Sequence, residues 1–255
     1  MKQPKSGERS NARSVSRETA PEKIAATARE LVSRWLRETT LRPRAGFIER
    51  IEKMSAALAL WGAHTNLTAD ASDPVEIAFH VIDSLAPIAF AAGAGRGSLD
   101  AALGADGNVL DLGSGGGFPG LVLTAAFEAR FTLAEARRKR ANYLQVAAEE
   151  MELTNVVVER RRATSRTIAG GFGLVTSRAF GASAELFEIA AAALGLGGLL
   201  LLYASADQTG DSHTAANRFF GDCIAWTYQV PHGERVAKRT AVLWSRKGES
   251  LKTLV

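Results

Sequence analysis

Between positions 44 and 61 apolar residues return every third or fourth place. Phe47, Ile51, Met54, Leu58 and Trp61 form one stripe, which predicts an amphipathic helix. Residues 22–39 carry a weaker helical pattern. Asp73-Pro74 reads as the cap and first residue of a helix running to about Ala91. Residues 92–107 are rich in Gly and Ala, show no period, and predict a linker. From Asn108 the rhythm changes. The short apolar runs NVLDL (108–112), FTLAE (131–135), NVVVE (155–159), GLVTS (173–177) and GLLLLY (198–203) predict strands. Helical stretches are expected at 119–128, 137–151 and 183–194. Strands alternating with helices of about ten to fifteen residues imply crossover units and a parallel sheet. The runs CIAWTYQV and RTAVLWSRK, joined by a Pro/Gly turn, predict two late antiparallel strands. The expected architecture is α/β: a doubly wound, mostly parallel sheet with an N-terminal helical cap and an antiparallel C-terminal edge. Its expected divisions are a basic arm at 1–22, the cap at 23–100 and the sheet domain at 101–255.

Composition narrows the class. At 46% hydrophobic and 23% charged residues the chain is globular. One cysteine, Cys223, excludes an internal disulfide and a thiolate cluster, and the scattered His64, His80, His213 and His232 lack metal-ligand spacing. No metal is expected. The longest uncharged run, Ile189 to Ala204, is short for a membrane span and is interrupted by Gly195, Gly197 and Gly198. With no apolar leader either, a cytoplasmic protein without membrane contact is expected. Residues 1–44 hold 11 Lys and Arg against 5 Asp and Glu, so the formal +4 of the chain comes from its N-terminal arm. Such an arm suits nucleic acid or serves as a solubilising tail.

The stretch VLDLGSGGGFPG, 109–120, carries the chemistry. Five glycines follow a strand that ends in an acid, so the backbone there turns tightly or approaches a ligand. A phosphate-gripping P-loop is excluded, because Gly120 is followed by Leu121-Val122 and not by Lys-Ser/Thr. The dinucleotide fingerprint fits Gly115-x-Gly117-x-x-Gly120, with Glu135 twenty residues past Gly115. Charge separates the remaining readings. A carboxylate at Asp111 opposes a diphosphate, and favours a cofactor bearing an ammonium and a sulfonium. S-adenosylmethionine is such a cofactor, and Glu135 at the second strand end suits its ribose hydroxyls.

Several separate pieces are similar to the RsmG (GidB) family of small-subunit ribosomal RNA methyltransferases. Trp61-x-x-x-x-Asn66-Leu67-Thr68, His80-x-x-Asp83-Ser84, Asp111 to Gly120 with its Phe118-Pro119-Gly120 ending, Thr132 to Glu135 followed by Lys139-Arg140, and Ser177-Arg178-Ala179-Phe180 resemble family elements in the same order. Phe79 stands where the family usually has arginine, and Tyr203-Ala204-Ser205-Ala206 where a lysine-glycine usually follows the strand. The resemblance implies a class I, Rossmann-like methyltransferase fold, S-adenosylmethionine as cofactor and guanine N7 of 16S ribosomal RNA, or the small ribosomal subunit, as target. It implies cofactor contacts from Asp111, Gly113, Gly115, Gly117, Phe118, Glu135, Ala163, Thr164 and Arg178.

Arg178 is the candidate catalytic side chain, at the end of the fourth strand. Asn66, His80, Asp83, Lys139 and Arg140 are candidates for the substrate; the first three equally suit polar ties between cap and sheet. Arg137 to Arg140, and Arg160 to Arg162 with Arg166, suit an RNA backbone or a solvated face. A monomer is expected. A small-molecule methyltransferase on the same fold, or an RNA-binding protein with a vestigial cofactor loop, are the alternatives, with a nicotinamide dehydrogenase more distant.

Overall fold

A computed structural model describes residues 20–178, 183–205 and 216–247. Most of the expected basic arm, and Ala179, Phe180 and Ala206 of the motifs above, lie outside the described residues. Three helices come first: α1 (Ala20–Arg37), α2 (Phe47–Gly62) and α3 (Pro74–Phe90). The stripe predicted for α2 is its buried face, with Phe47, Ile51, Met54 and Leu58 at most 3% exposed. Asp73 caps α3 as the sequence implies: its Oδ1 accepts the Val75 N–H at 2.8 Å, and Pro74 occupies the first turn.

Residues 93–103 are not a linker but a fourth helix, α4 (Gly93–Leu103). Three of its first five residues are glycine, so no apolar period announces it. Burial of Leu99 and Leu103, four residues apart, holds it against the sheet instead. The rest alternates as expected: β1 (Asn108–Leu112), α5 (Gly120–Ala126), β2 (Arg130–Ala134), α6 (Arg138–Glu150), β3 (Val156–Glu159), β4 (Phe172–Arg178), α7 (Ala184–Ala193), β5 (Leu194–Ser205), then β6 (Phe220–His232) and β7 (Arg235–Arg246).

The sheet order is β3-β2-β1-β4-β5-β7-β6. Strands β1 to β5 run parallel, β7 pairs antiparallel with β5, and β6 antiparallel with β7. Strand alternation divides the core into two faces. Val109, Leu199, Leu201, Tyr203, Ala241 and Leu243 join the cluster that holds α1 to α6; Leu110, Leu112, Leu200, Leu202, Val242 and Trp244 join that of α7. Chain order reverses between β1 and β4, where the carboxyl strand ends open a crevice for ligands. The glycine-rich stretch leaves β1 at that point.

Candidate active site

The loop after β1 is shaped by backbone that only glycine adopts freely. Gly113, Gly115 and Gly117 have φ of +74°, +54° and +89°. Its amides are spent on the neighbouring strand. The Gly113 and Ser114 N–H groups donate to the Ala134 carbonyl at 2.9 and 3.3 Å, and the Gly115 N–H donates to Glu135 Oε2 at 3.0 Å. A diphosphate nest needs such amides free and turned outward. Here three successive ones point at β2, which argues against the dinucleotide reading more directly than charge alone.

Asp111 lies beneath this loop, with no exposed surface. Its partner in the β1–β4 register is Thr176, whose hydroxyl donates to Oδ1 at 2.7 Å. Oδ2 is buried without a hydrogen-bond partner. It fills the space beside Gly120, 2.5 Å from where a Cβ would stand, so only glycine lets α5 begin so close to the acid. Burial pushes the Asp111 carboxyl pKa up, against the pull of nearby hydroxyls and of Arg178. Glu135, 5% exposed, ties the loop to α6: besides Gly115 it accepts the Arg137 N–H on Oε1 at 2.7 Å. Ala163 and Thr164 follow β3 on the same edge. The Thr164 N–H donates to Thr167 Oγ1 at 3.1 Å, and Ala163 packs against the α7-side core.

The cap closes over the loop from the other side. The Leu67 carbonyl lies against Gly116. The segment is pinned there by Arg140, whose Nε and Nη2 donate to the Asn66 carbonyl at 3.0 and 2.7 Å. Arg140 thus spends its fork on the cap. Lys139 beside it is exposed, as is the Asn66 side chain.

Arg178 leaves the tip of β4 and is the hub of a polar network under α3. Its Nη1 reaches His80 Nδ1 at 3.2 Å and Asp83 Oδ2 at 3.3 Å, and its guanidinium carbon lies 5.2 Å from the Phe118 ring centre. The network therefore touches the cofactor loop directly, through Phe118. Guanidinium only donates, so His80 Nδ1 accepts and its proton sits on Nε2, 3.1 Å from Glu76 Oε1. Burial, then Arg178, Arg239 and His232, lower the His80 pKa from 6.5 to about 3; these outweigh Glu76, which favours the imidazolium. His80 is neutral at physiological pH. The far end of the network was not legible in sequence. Tyr228 Oη donates to Asp83 Oδ1 at 3.0 Å, Arg239 Nε stands 3.7 Å from the same oxygen, and His232 Nε2 meets Glu76 Oε2 at 2.8 Å. These residues come from β6 and β7, with His232 closing β6. Only Glu76, one helical turn before His80, lay where periodicity points.

A depressed histidine pKa ties stability to pH. Between about 3 and 6.5 the unfolded chain binds a proton that folded His80 refuses, so this contribution is complete above pH 6.5 and is lost as pH falls toward 3. At about 1.4 kcal/mol per unit it amounts to a few kcal/mol. His80→Asn is expected to flatten the fall of melting temperature between pH 6 and 4. An unchanged pH profile contradicts the assignment.

The family model described as rRNA small subunit methyltransferase G matches residues 47–235. The chain belongs to that family. Among curated relatives it is similar to the ribosomal RNA small subunit methyltransferase G of Wolinella succinogenes, 33% identical over 56% of this chain and 67% of that protein. It is also similar to that of Methylococcus capsulatus, 34% identical over 60% of this chain and 69% of that protein. Among solved structures it resembles a "predicted O-methyltransferase" of Agrobacterium tumefaciens at 22% identity and TM-score 0.49, covering 60% of this chain and 81% of that one. That likeness is too loose to bear on function; the fold class rests on the strand order.

The family member is a methyltransferase, and S-adenosylmethionine is its methyl donor. The residues present fit that donor. A buried carboxylate oxygen at Asp111 is left unmatched, Glu135 keeps lone pairs beyond its two backbone bonds, and the loop is open at the exposed Gly113. Among the described residues no helix is long and apolar enough to cross a membrane, and no group of three His, Cys, Asp or Glu is placed to hold a metal ion.

Proposed function

We propose that this methyltransferase acts on N7 of a guanine in small-subunit ribosomal RNA. One observation carries the choice of atom. Beside the β4 tip, His80 and Asp83 have their accepting atoms committed among the described residues: His80 Nδ1 to Arg178, and the Asp83 oxygens to Arg178 and Tyr228. A target that must first lose a proton would need one of these free. Guanine N7 carries its own lone pair in the major groove and needs only to be held in line with the transferred methyl. S-adenosylmethionine supplies an electrophilic methyl on a sulfonium.

For the chain's own part, Asp111, Gly113, Gly115, Gly117, Phe118 and Glu135 hold the donor, with Ala163 and Thr164 bordering its adenine. Arg178 orients the purine, offering N–H groups to guanine O6. Two basic segments support an RNA partner. Arg137, Arg138 and Lys139 open α6, Arg160, Arg162 and Arg166 follow β3, and all six are exposed. The Glu135 N–H bond to the Glu159 carbonyl at 3.1 Å brings the two segments together at one edge of the loop. A phosphate backbone satisfies cations gathered there, including those at a helix start, where the dipole opposes them. The target base would have to be splayed from its stack for access. The helical cap at 23–100 and the sheet domain at 101–255 act as one monomeric unit in this reading.

The test is transfer of isotopically labelled methyl to isolated 30S particles and to deproteinised ribosomal RNA, read by nucleoside mass spectrometry. N7-methylguanosine is expected. Label at another position overturns the choice of atom, and no label on either substrate overturns the choice of RNA.

A further inference from the structure

Arg239 is the member of the Arg178 network with a buried donor, Nε, that has no hydrogen-bond partner among the described residues. It stands on β7, paired in register with Ser205 of β5 and Tyr228 of β6, at the same end of the sheet as the cofactor loop. Two contacts fix its guanidinium. The carbon lies 5.1 Å from the ring centre of Phe79, and Nε lies 3.7 Å from Asp83 Oδ1, beyond hydrogen-bond distance. Both are charge contacts that consume no N–H. Among the described residues its guanidinium makes no hydrogen bond, and Nε is buried without a partner. A buried Nε–H without an acceptor is costly, while the rest of the guanidinium reaches solvent and is free to meet an acceptor from outside the protein.

Charge selects the kind of acceptor. Asp83 is a single carboxylate flanked by two guanidiniums, and Arg178 holds it at 3.3 Å. The other nearby acid, Glu76, is taken up by His80 and His232. Among the described residues the second cation therefore has no carboxylate of its own. It is also reachable, with 31% of the side chain exposed. Phe79 makes a rigid platform, only 4% exposed and stacked on His232 with ring centres 4.5 Å apart.

From this geometry we propose that Arg239 binds a phosphate of the RNA strand beside the target nucleotide, with Phe79 and Asp83 as the positioning residues that aim it. This rests on the reading of the substrate as RNA. The planar fork of arginine matches phosphate oxygens in pairs.

The experiment measures binding of deproteinised small-subunit ribosomal RNA to the full chain as a function of salt, beside S-adenosylmethionine affinity. Arg239→Gln is expected to weaken RNA binding about tenfold at low salt and to make the slope of log K against log salt shallower by about 0.7 to 0.9, the share of one phosphate. S-adenosylmethionine affinity stays unchanged, and the RNA KM rises while kcat holds. Arg239→Lys, which keeps the charge and is the safer variant for folding, restores the slope but not the full affinity. An Arg239→Gln variant with wild-type slope and affinity overturns the assignment, as does one that loses S-adenosylmethionine and keeps RNA. If the unmodified chain itself bound no RNA, the substrate reading would fall instead, so the two failures are distinct.

Discussion

Asp111→Asn weakens S-adenosylmethionine binding about thirtyfold while leaving the apo protein nearly as stable as before. The substitution keeps the shape and the bond from Thr176, and removes one buried charge. Two unit charges several ångström apart, at an effective dielectric near 20, interact by about 2 kcal/mol, which is roughly thirtyfold in affinity. The control is S-adenosylhomocysteine, which lacks the sulfonium charge; its affinity drops less, so the ratio of the two dissociation constants narrows. Apo stability moves little because two effects oppose. The charge is buried at a cost, as the raised pKa states, and the new amide nitrogen replaces Oδ2, which has no partner. The sign with pH is specific. A carboxyl whose folded pKa is raised penalises the fold only above its unfolded value, so any gain from asparagine is present near neutrality and vanishes in acid. Calorimetric titration of both ligands, with melting curves at two pH values, checks each part. An unchanged ratio of affinities removes Asp111 from the account of donor binding.

How much of this was legible in the sequence depends on how local each signal is. Strand β1, the glycine loop and Glu135 are contiguous or one crossover apart, and hydrophobic rhythm plus glycine density locates them. The α2 stripe is read for the same reason. Helix α4 is missed because its helicity is imposed from outside: Gly93, Gly95 and Gly97 have low helical propensity, and packing of Leu99 and Leu103 overrides it. Loop and acids were legible as residue types, but not how they are spent. No spacing rule says that the amides of Gly113, Ser114 and Gly115 turn toward β2, or that Asp111 points under α5. The β6–β7 hairpin is the extreme case. Tyr228 lies 145 residues from Asp83 in sequence and bonds to it at 3.0 Å. Phe79 looks in sequence like the loss of a cation. In three dimensions a different arginine, Arg239, delivers one to the same ring.

Arg178→Met lowers kcat about a hundredfold and leaves S-adenosylmethionine affinity within a few-fold. Arg178 sits where β4 ends, touches the loop at the Phe118 ring, and is oriented by His80 and Asp83. Its loss therefore costs alignment at the reacting base, and misplacement by about an ångström is worth that factor. Stability also falls. Removing one side of a buried pair typically costs about 3–5 kcal/mol, and here less, because Tyr228 and Arg239 still face Asp83. The structural and functional shares separate in a double-mutant cycle. Asp83→Asn in the Arg178→Met background relieves the stranded charge and recovers stability, since the two residues are directly coupled. It returns no kcat, because the guanidinium that meets the substrate is still missing. Arg178→Lys gives an independent check: it restores charge near Asp83 but not the planar fork that reaches His80 and Asp83 from one nitrogen. If kcat returned together with stability in the double mutant, Arg178 would be a tie between α3 and the sheet, and orientation of the base would fall to other groups at the strand ends.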